Sequence, residues 1–187
     1  MSSMRSLLAA AVLALAATTA ACAGAGSPVT EPTRTSSPTL TPTPTPTPEP
    51  VTATCENTVT AEAAASFAEY KWTARPDAGP LVVGGVTIPD GIACVWGDYS
   101  TGNDNVSWLA WGPLDDTSAQ TAISALLADG EWRREDGEDG IYITAADTSM
   151  SPVTDMDGYA MTYLFADGEV KGALTRADLA IIVAPST

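Results

Sequence analysis

The residue types that most often carry covalent chemistry are nearly absent from this chain. It contains no histidine, which excludes Ser-His-Asp and Cys-His nucleophile systems and histidine-ligated catalytic metals. Of its three cysteines, Cys55 and Cys94 form an even pair that an oxidising compartment would join, leaving no thiolate. Closing a loop of about 40 residues in this way stabilises by roughly 4 kcal/mol in the chain-entropy model. Two lone cysteines do not make a tetrahedral zinc site. Carboxylates are abundant, with 23 Asp and Glu. A glycosidase needs only two, but no pair declares itself. Glu135-Asp136-Gly137-Glu138-Asp139-Gly140 has the look of a calcium loop. It fails the EF-hand spacing, because the twelfth position counted from Glu135 is Ala146. Asp155 and Asp157 before Gly158 lack a first-position acid and a terminal Glu. Both segments read as turns. Gly84-Gly85 leads to Thr87-Ile88-Pro89 rather than into a helix, so it does not cradle a phosphate. No metal site and no cofactor are expected.

The tryptophans remain: Trp72, Trp96, Trp108, Trp111 and Trp132. Trp108 and Trp111 are an odd number apart on one expected strand and therefore face opposite sides of a sheet. One belongs to the core. The other is exposed if helices cover only one face, and exposed aromatics stack on sugars or bind partners. The competing account is that all five simply pack.

The elements that must position these residues are legible from turns and periodicity. Asp-Gly recurs at Asp90, Asp129, Asp136, Asp139, Asp157 and Asp167, supplying the positive φ of tight turns and helix ends. The flanks predict strands at Ala93–Asp98, Val106–Trp111, Ile141–Thr144, Tyr159–Phe165, Val170–Leu174 and Leu179–Val183. Hairpins are expected at Asp167-Gly168 and, across Leu81–Ile88, at Gly84-Gly85. Thr60 can cap a helix over Ala61–Tyr70. Thr117-Ser118-Ala119-Gln120 reads as a capping box ahead of an apolar stripe at Ala119, Ala122, Ile123, Leu126 and Leu127, with Gly130 at its end. The expected fold is a two-layer α+β domain over residues 55–187, an antiparallel sheet of about five or six strands with two helices on one face. The other face would then be the binding face. Trp111, at the strand end before Gly112-Pro113, is the preferred contact, ahead of Trp108.

Residues 1–54 read as an address. Arg5 precedes an apolar run, Leu7 to Ala17, far shorter than the roughly 20 residues needed to span a bilayer. It fits the core of a signal peptide over residues 1–21. Thr19-Ala20-Ala21-Cys22 resembles a lipobox: Ala20 and Ala21 match it, Thr19 departs from its preferred Leu, and Cys22 would carry the lipid. Cleavage after Ala23, within Ala21-Cys22-Ala23, is the alternative and would give a secreted protein. Residues 22–54 then form a Thr/Pro-rich tether whose Thr-Pro repeats, Thr41-Pro42 to Thr47-Pro48, fix extended backbone. As polyproline II at about 3.1 Å per residue, Ser27–Thr54 would reach on the order of 80 Å. The threonines also suit O-glycosylation. The formal charge of −15 argues against nucleic acid or an anionic lipid surface as partner.

Together, Cys22, the Thr/Pro tether, Cys55 ahead of a helix and the strand Cys94-Val95-Trp96 resemble small secreted lipoproteins of actinobacteria. The resemblance implies a Cys-x-Trp strand tied by a disulfide to the start of the domain, attachment to the outer face of the cell membrane, and a binding or accessory role in the envelope. Two function classes follow. One is a non-enzymatic domain that binds an envelope peptide, glycan or protein. The other is a carboxylate-dependent hydrolase acting on envelope glycans.

Overall fold

The computed structural model describes residues 51–102, 105–146 and 153–185. Cys22, the signal-peptide segment and the Thr-Pro repeats lie outside the described residues. All described residues belong to one compact unit, Thr47–Thr187. Among the described residues, no helix is long and apolar enough to cross a membrane.

The class is α+β. Helix α1 (Ala61–Glu69) is followed by strands β1 (Thr73–Pro76), β2 (Leu81–Val83), β3 (Val86–Ile88), β4 (Ile92–Gly97) and β5 (Val106–Pro113). Helix α2 (Asp116–Leu127) then leads to β6 (Trp132–Gly137), β7 (Gly140–Ala145), β8 (Thr162–Ala166) and β9 (Glu169–Ala173). Seven strands form one antiparallel sheet in the order β1-β4-β5-β9-β8-β7-β6, and β2-β3 is a separate hairpin. The sheet is larger than expected because both of its edges escape the usual strand signals. β1 ends on Pro76 and β6 reads Trp-Arg-Arg-Glu-Asp-Gly. Proline and charge are what edge strands carry to block further pairing.

The two helices do not share a face. Along β5, Ala110 belongs to a core with Ile143, Phe165 and Val170, which α2 closes through Ala122 and Ile123 and the β2-β3 hairpin closes through Leu81, Val83 and Ile88. Leu109 points the other way, into a core with Cys94, Trp96 and Ala173, which α1 closes through Ala63 and Phe67. Successive strand residues alternate sides, so each face of the sheet carries one helix and the fold has three layers. The expectation of two helices on one face assumed that two single-stripe helices would sit side by side. The hairpin takes that second place instead. Gly84, with φ +53°, lets the hairpin touch α2, where a Cβ would stand 2.2 Å from the Ala122 carbonyl oxygen.

Local signals were accurate where chemistry set them. Thr60 caps α1 by accepting from the Ala63 N–H, and Gly130 takes a positive φ after α2. Helix α2 starts earlier than the Thr117 box, because the Asp115 carboxylate accepts from the N–H groups of both Thr117 and Ser118. Aspartate caps better than threonine, and those bonds, with the Ser118 backbone N–H first, hold its carboxyl below the ordinary range. The Asp167-Gly168 hairpin forms with both residues at positive φ. The strand expected over Leu179–Val183 is instead a 3-10 helix, Ala177–Ile181, followed by a single bridge from Ile182 to Val59. Leu179 in that helix and Ile182 just after it are buried, spaced at its three-residue turn.

Cys55 and Cys94 are joined by a disulfide. Both are buried in the α1 core. The bond ties the start of the domain to β4, next to Trp96.

Candidate functional site

The face that carries α1 is covered over only part of its width. One register row of that face runs through Ile92, Trp111, Lys171, Leu164, Tyr142 and Glu135. Its chemistry changes along the row, from apolar beside β4 to charged at the β6 edge. Over β9, β8, β7 and β6 the face opens into a cleft of about 690 Å³. Its floor is Tyr142, Leu164, Lys171 and Glu169. One wall is the 3-10 helix with Arg176 before it, and the rim carries Asp139, Asp155, Asp157, Tyr159 and Asp167.

Arg176 organises one end. Its guanidinium lies 3.9 Å from the ring centroid of Tyr142 and 4.6 Å from that of Tyr159, and it donates to Glu135. Partial burial pulls the guanidinium down. The hydrogen bond and charge of Glu135 outweigh this and hold it above its ordinary value. Arg133 lies 5.0 Å from the Tyr159 ring and 3.6 Å from Glu135. Asp155 holds the rim loop by accepting from the Asp157, Tyr159 and Ala177 N–H groups.

The other end is built on Glu169. Its Oε1 is 3.2 Å from Lys171 Nζ, and its Oε2 accepts from the Trp111 indole N–H at 2.6 Å. Trp111 is therefore half-buried on the cleft side of the sheet, reaching the cleft through Glu169 rather than lining it. It also borders a smaller groove formed with Val51–Ala53, Pro89–Ile92 and Pro113. Trp108 is on the opposite face. Its ring meets Tyr163 edge-on and its indole N–H donates to Asp77 Oδ2 at 3.2 Å. The two tryptophans are thus separated by the sheet, as their spacing requires. A wholly uncovered face does not exist, and the open surface is half of one face.

The Glu135–Gly140 run is a hairpin. β6 ends at Gly137 and β7 begins at Gly140, leaving Glu138-Asp139 as the turn. Arg134 donates to Asp136 at 2.6 Å. Among the described residues, no group of three or more His, Cys, Asp or Glu is placed to hold a metal ion.

Sequence reasoning missed Tyr142, Lys171, Arg176 and Glu135 as cleft residues. A signal for the first two was present. On β7 and β9 one parity reads Ile141, Ile143, Val170 and Gly172, and the other places Tyr142 and Lys171 where a closed face would hold aliphatics. Arg176 carried no signal, because its partners come from a different hairpin. The chain matches no family model, and no curated protein or solved structure shows significant similarity to it.

Proposed function

We propose that this protein is an extracytoplasmic binding or accessory lipoprotein, anchored through Cys22 and held off the membrane by the tether, and that it binds through the open half of its sheet. The observation that carries this is the cleft over β9, β8, β7 and β6, concave and lined by aromatic, charged and apolar groups together. That combination is what orienting sites use: a few directed polar groups on an otherwise shaped surface. Among the cleft carboxylates, the two glutamates are not disposed for hydrolysis. Glu135 is engaged by Arg176 and Arg133, and Glu169 by Lys171 and Trp111. A glycosidase needs two carboxyl groups disposed about a scissile bond, and these two are disposed about the protein's own cations.

The test is retention of envelope components by the intact chain. Tyr159→Ala removes a cleft-lining ring, whereas Gln120→Ala and Ser124→Ala alter the exposed side of α2. The α2 changes are expected to leave retention intact and Tyr159→Ala to abolish it. Equal retention by all three would contradict the assignment.

A further inference from the structure

The cleft's residues also restrict what it binds, which deepens the function proposed above and rests on it. The cations in the cleft are already neutralised, Arg176 by Glu135 and Lys171 by Glu169. What remains facing the opening is negative: Asp139, Asp157 and Asp167, none with an ion-pair partner among the described residues. The tyrosine rings that would serve a sugar as stacking platforms already carry guanidinium groups, Arg176 on both Tyr142 and Tyr159 and Arg133 on Tyr159. The cleft thus already cages one cationic side chain between aromatic faces and a carboxylate, an arrangement that recognises guanidinium and ammonium groups in general. A third observation is apolar. Met156, just outside the cleft lining in the turn between the rim residues Asp155 and Asp157, is fully exposed at 104 %. A fully exposed methionine flanked by carboxylates is an adaptable apolar contact in a negative setting.

We propose that the cleft docks an extended cationic, amphipathic peptide segment of an envelope protein, its Lys or Arg side chains meeting Asp139, Asp157 and Asp167 and an apolar side chain meeting Met156. Charge complementarity across the opening selects the sign of the partner and speeds its encounter. Met156 separates a peptide bearing apolar groups from a simple polycation.

The experiment measures binding of a labelled eight-residue peptide of alternating Lys and Leu to the intact chain by fluorescence anisotropy. An alternating Glu-Leu peptide, an alternating Lys-Ser peptide and a neutral chito-oligosaccharide are run beside it. The Lys-Leu peptide is expected to bind, and more weakly as salt is raised, because exposed charges are screened beyond about 8 Å at physiological ionic strength. Replacing Asp139, Asp157 and Asp167 together by Asn is expected to raise Kd by about tenfold or more. Asn preserves the turn at Asp167, whose φ is +50°, since it tolerates the left-handed region. Met156→Ser is expected to reduce the preference for Lys-Leu over Lys-Ser. The proposal is overturned if Glu-Leu binds as well as Lys-Leu, if the triple Asn variant binds unchanged, or if no cationic peptide binds. It is overturned too if Lys-Ser matches Lys-Leu in the unaltered chain. Binding of the chito-oligosaccharide alone, lost in Tyr159→Ala, would sink the cationic peptide while leaving the cleft as the binding surface. Loss of neither in Tyr159→Ala would sink both.

Discussion

Tyr163 gives a quantitative test of which face of the sheet is closed. It lies on β8 under α2 and is 7 % exposed. Its ring is packed among Trp108, Trp132 and Phe165, with centroids 6.3, 5.5 and 6.4 Å away. Gly172 lies beneath it, where a Cβ would stand 2.8 Å from the Tyr163 ring. Burial pushes its phenol up to about 12 from an ordinary 10.0. The sign follows directly. Between pH 10 and 12 the unfolded chain loses this proton and the folded chain keeps it, so the folded state loses ground. The contribution is fully present below pH 10 and is lost as pH rises through 12. Linkage gives a loss of about 1.4 kcal/mol at pH 11, approaching roughly 2–3 kcal/mol above pH 12. The assay is urea unfolding followed by circular dichroism at pH 8, 10 and 11, for the wild-type chain and for Tyr163→Phe. The other tyrosines and lysines are common to both, so the difference between the two pH profiles isolates Tyr163. Wild type should fall below the variant's profile above pH 10 by the stated amount. A difference flat from pH 8 to 11 would refute the reasoning. It would mean that water reaches the phenol and that the face under α2 is not the closed one.

Reducing the Cys55–Cys94 bond, which spans 39 residues of sequence, should lower stability by roughly 4 kcal/mol. Urea midpoints with and without reductant check this, and a change under about 1 kcal/mol would contradict the loop-closure argument. Gly172→Val should cost about 1–3 kcal/mol by forcing Tyr163 and Trp108 off β9, read as a shift in the same urea transition. If Cys22 carries the anchor, Cys22→Ser should release the protein into the medium, and mass spectrometry of the native protein should find a diacylated N-terminus. A free N-terminus at Gly24 would instead establish cleavage after Ala23.

Local chemistry was legible in the sequence and long-range assembly was not. Thr60, Gly84-Gly85, Asp167-Gly168 and the even cysteine pair each act through their own backbone or a single bond, and each does in the structure what its residue type dictates. The stripe Ala122–Ile123 correctly announced a buried helix face but could not say which side of the sheet it would cover. That choice depended on where the β2-β3 hairpin folds, and Gly84 and Gly112 set it by leaving room for close approach. The edge strands β1 and β6 were hidden because the charges and proline that protect an edge are also what loops contain. The candidate site shows the same division. The odd spacing of Trp108 and Trp111 placed them on opposite faces. That Trp111 would be tied to Glu169, 58 residues away in sequence, depends on β5 pairing with β9. Arg176 reaches Tyr142 and Glu135 only because the segment after β9 folds back over β7 and β6. No local pattern encodes that return.

The central claim, that the open half of the sheet is the surface this protein uses, is tested most directly by carboxyl footprinting. The intact chain is labelled with a water-soluble carbodiimide and an amine, with and without an envelope extract, and the modified acids are mapped by mass spectrometry. Asp139, Asp157 and Asp167 on the cleft should be protected in the presence of extract. Asp129, after α2, should label equally in both samples. Protection at Asp129 with none at the three cleft acids would place the working surface elsewhere and contradict the account.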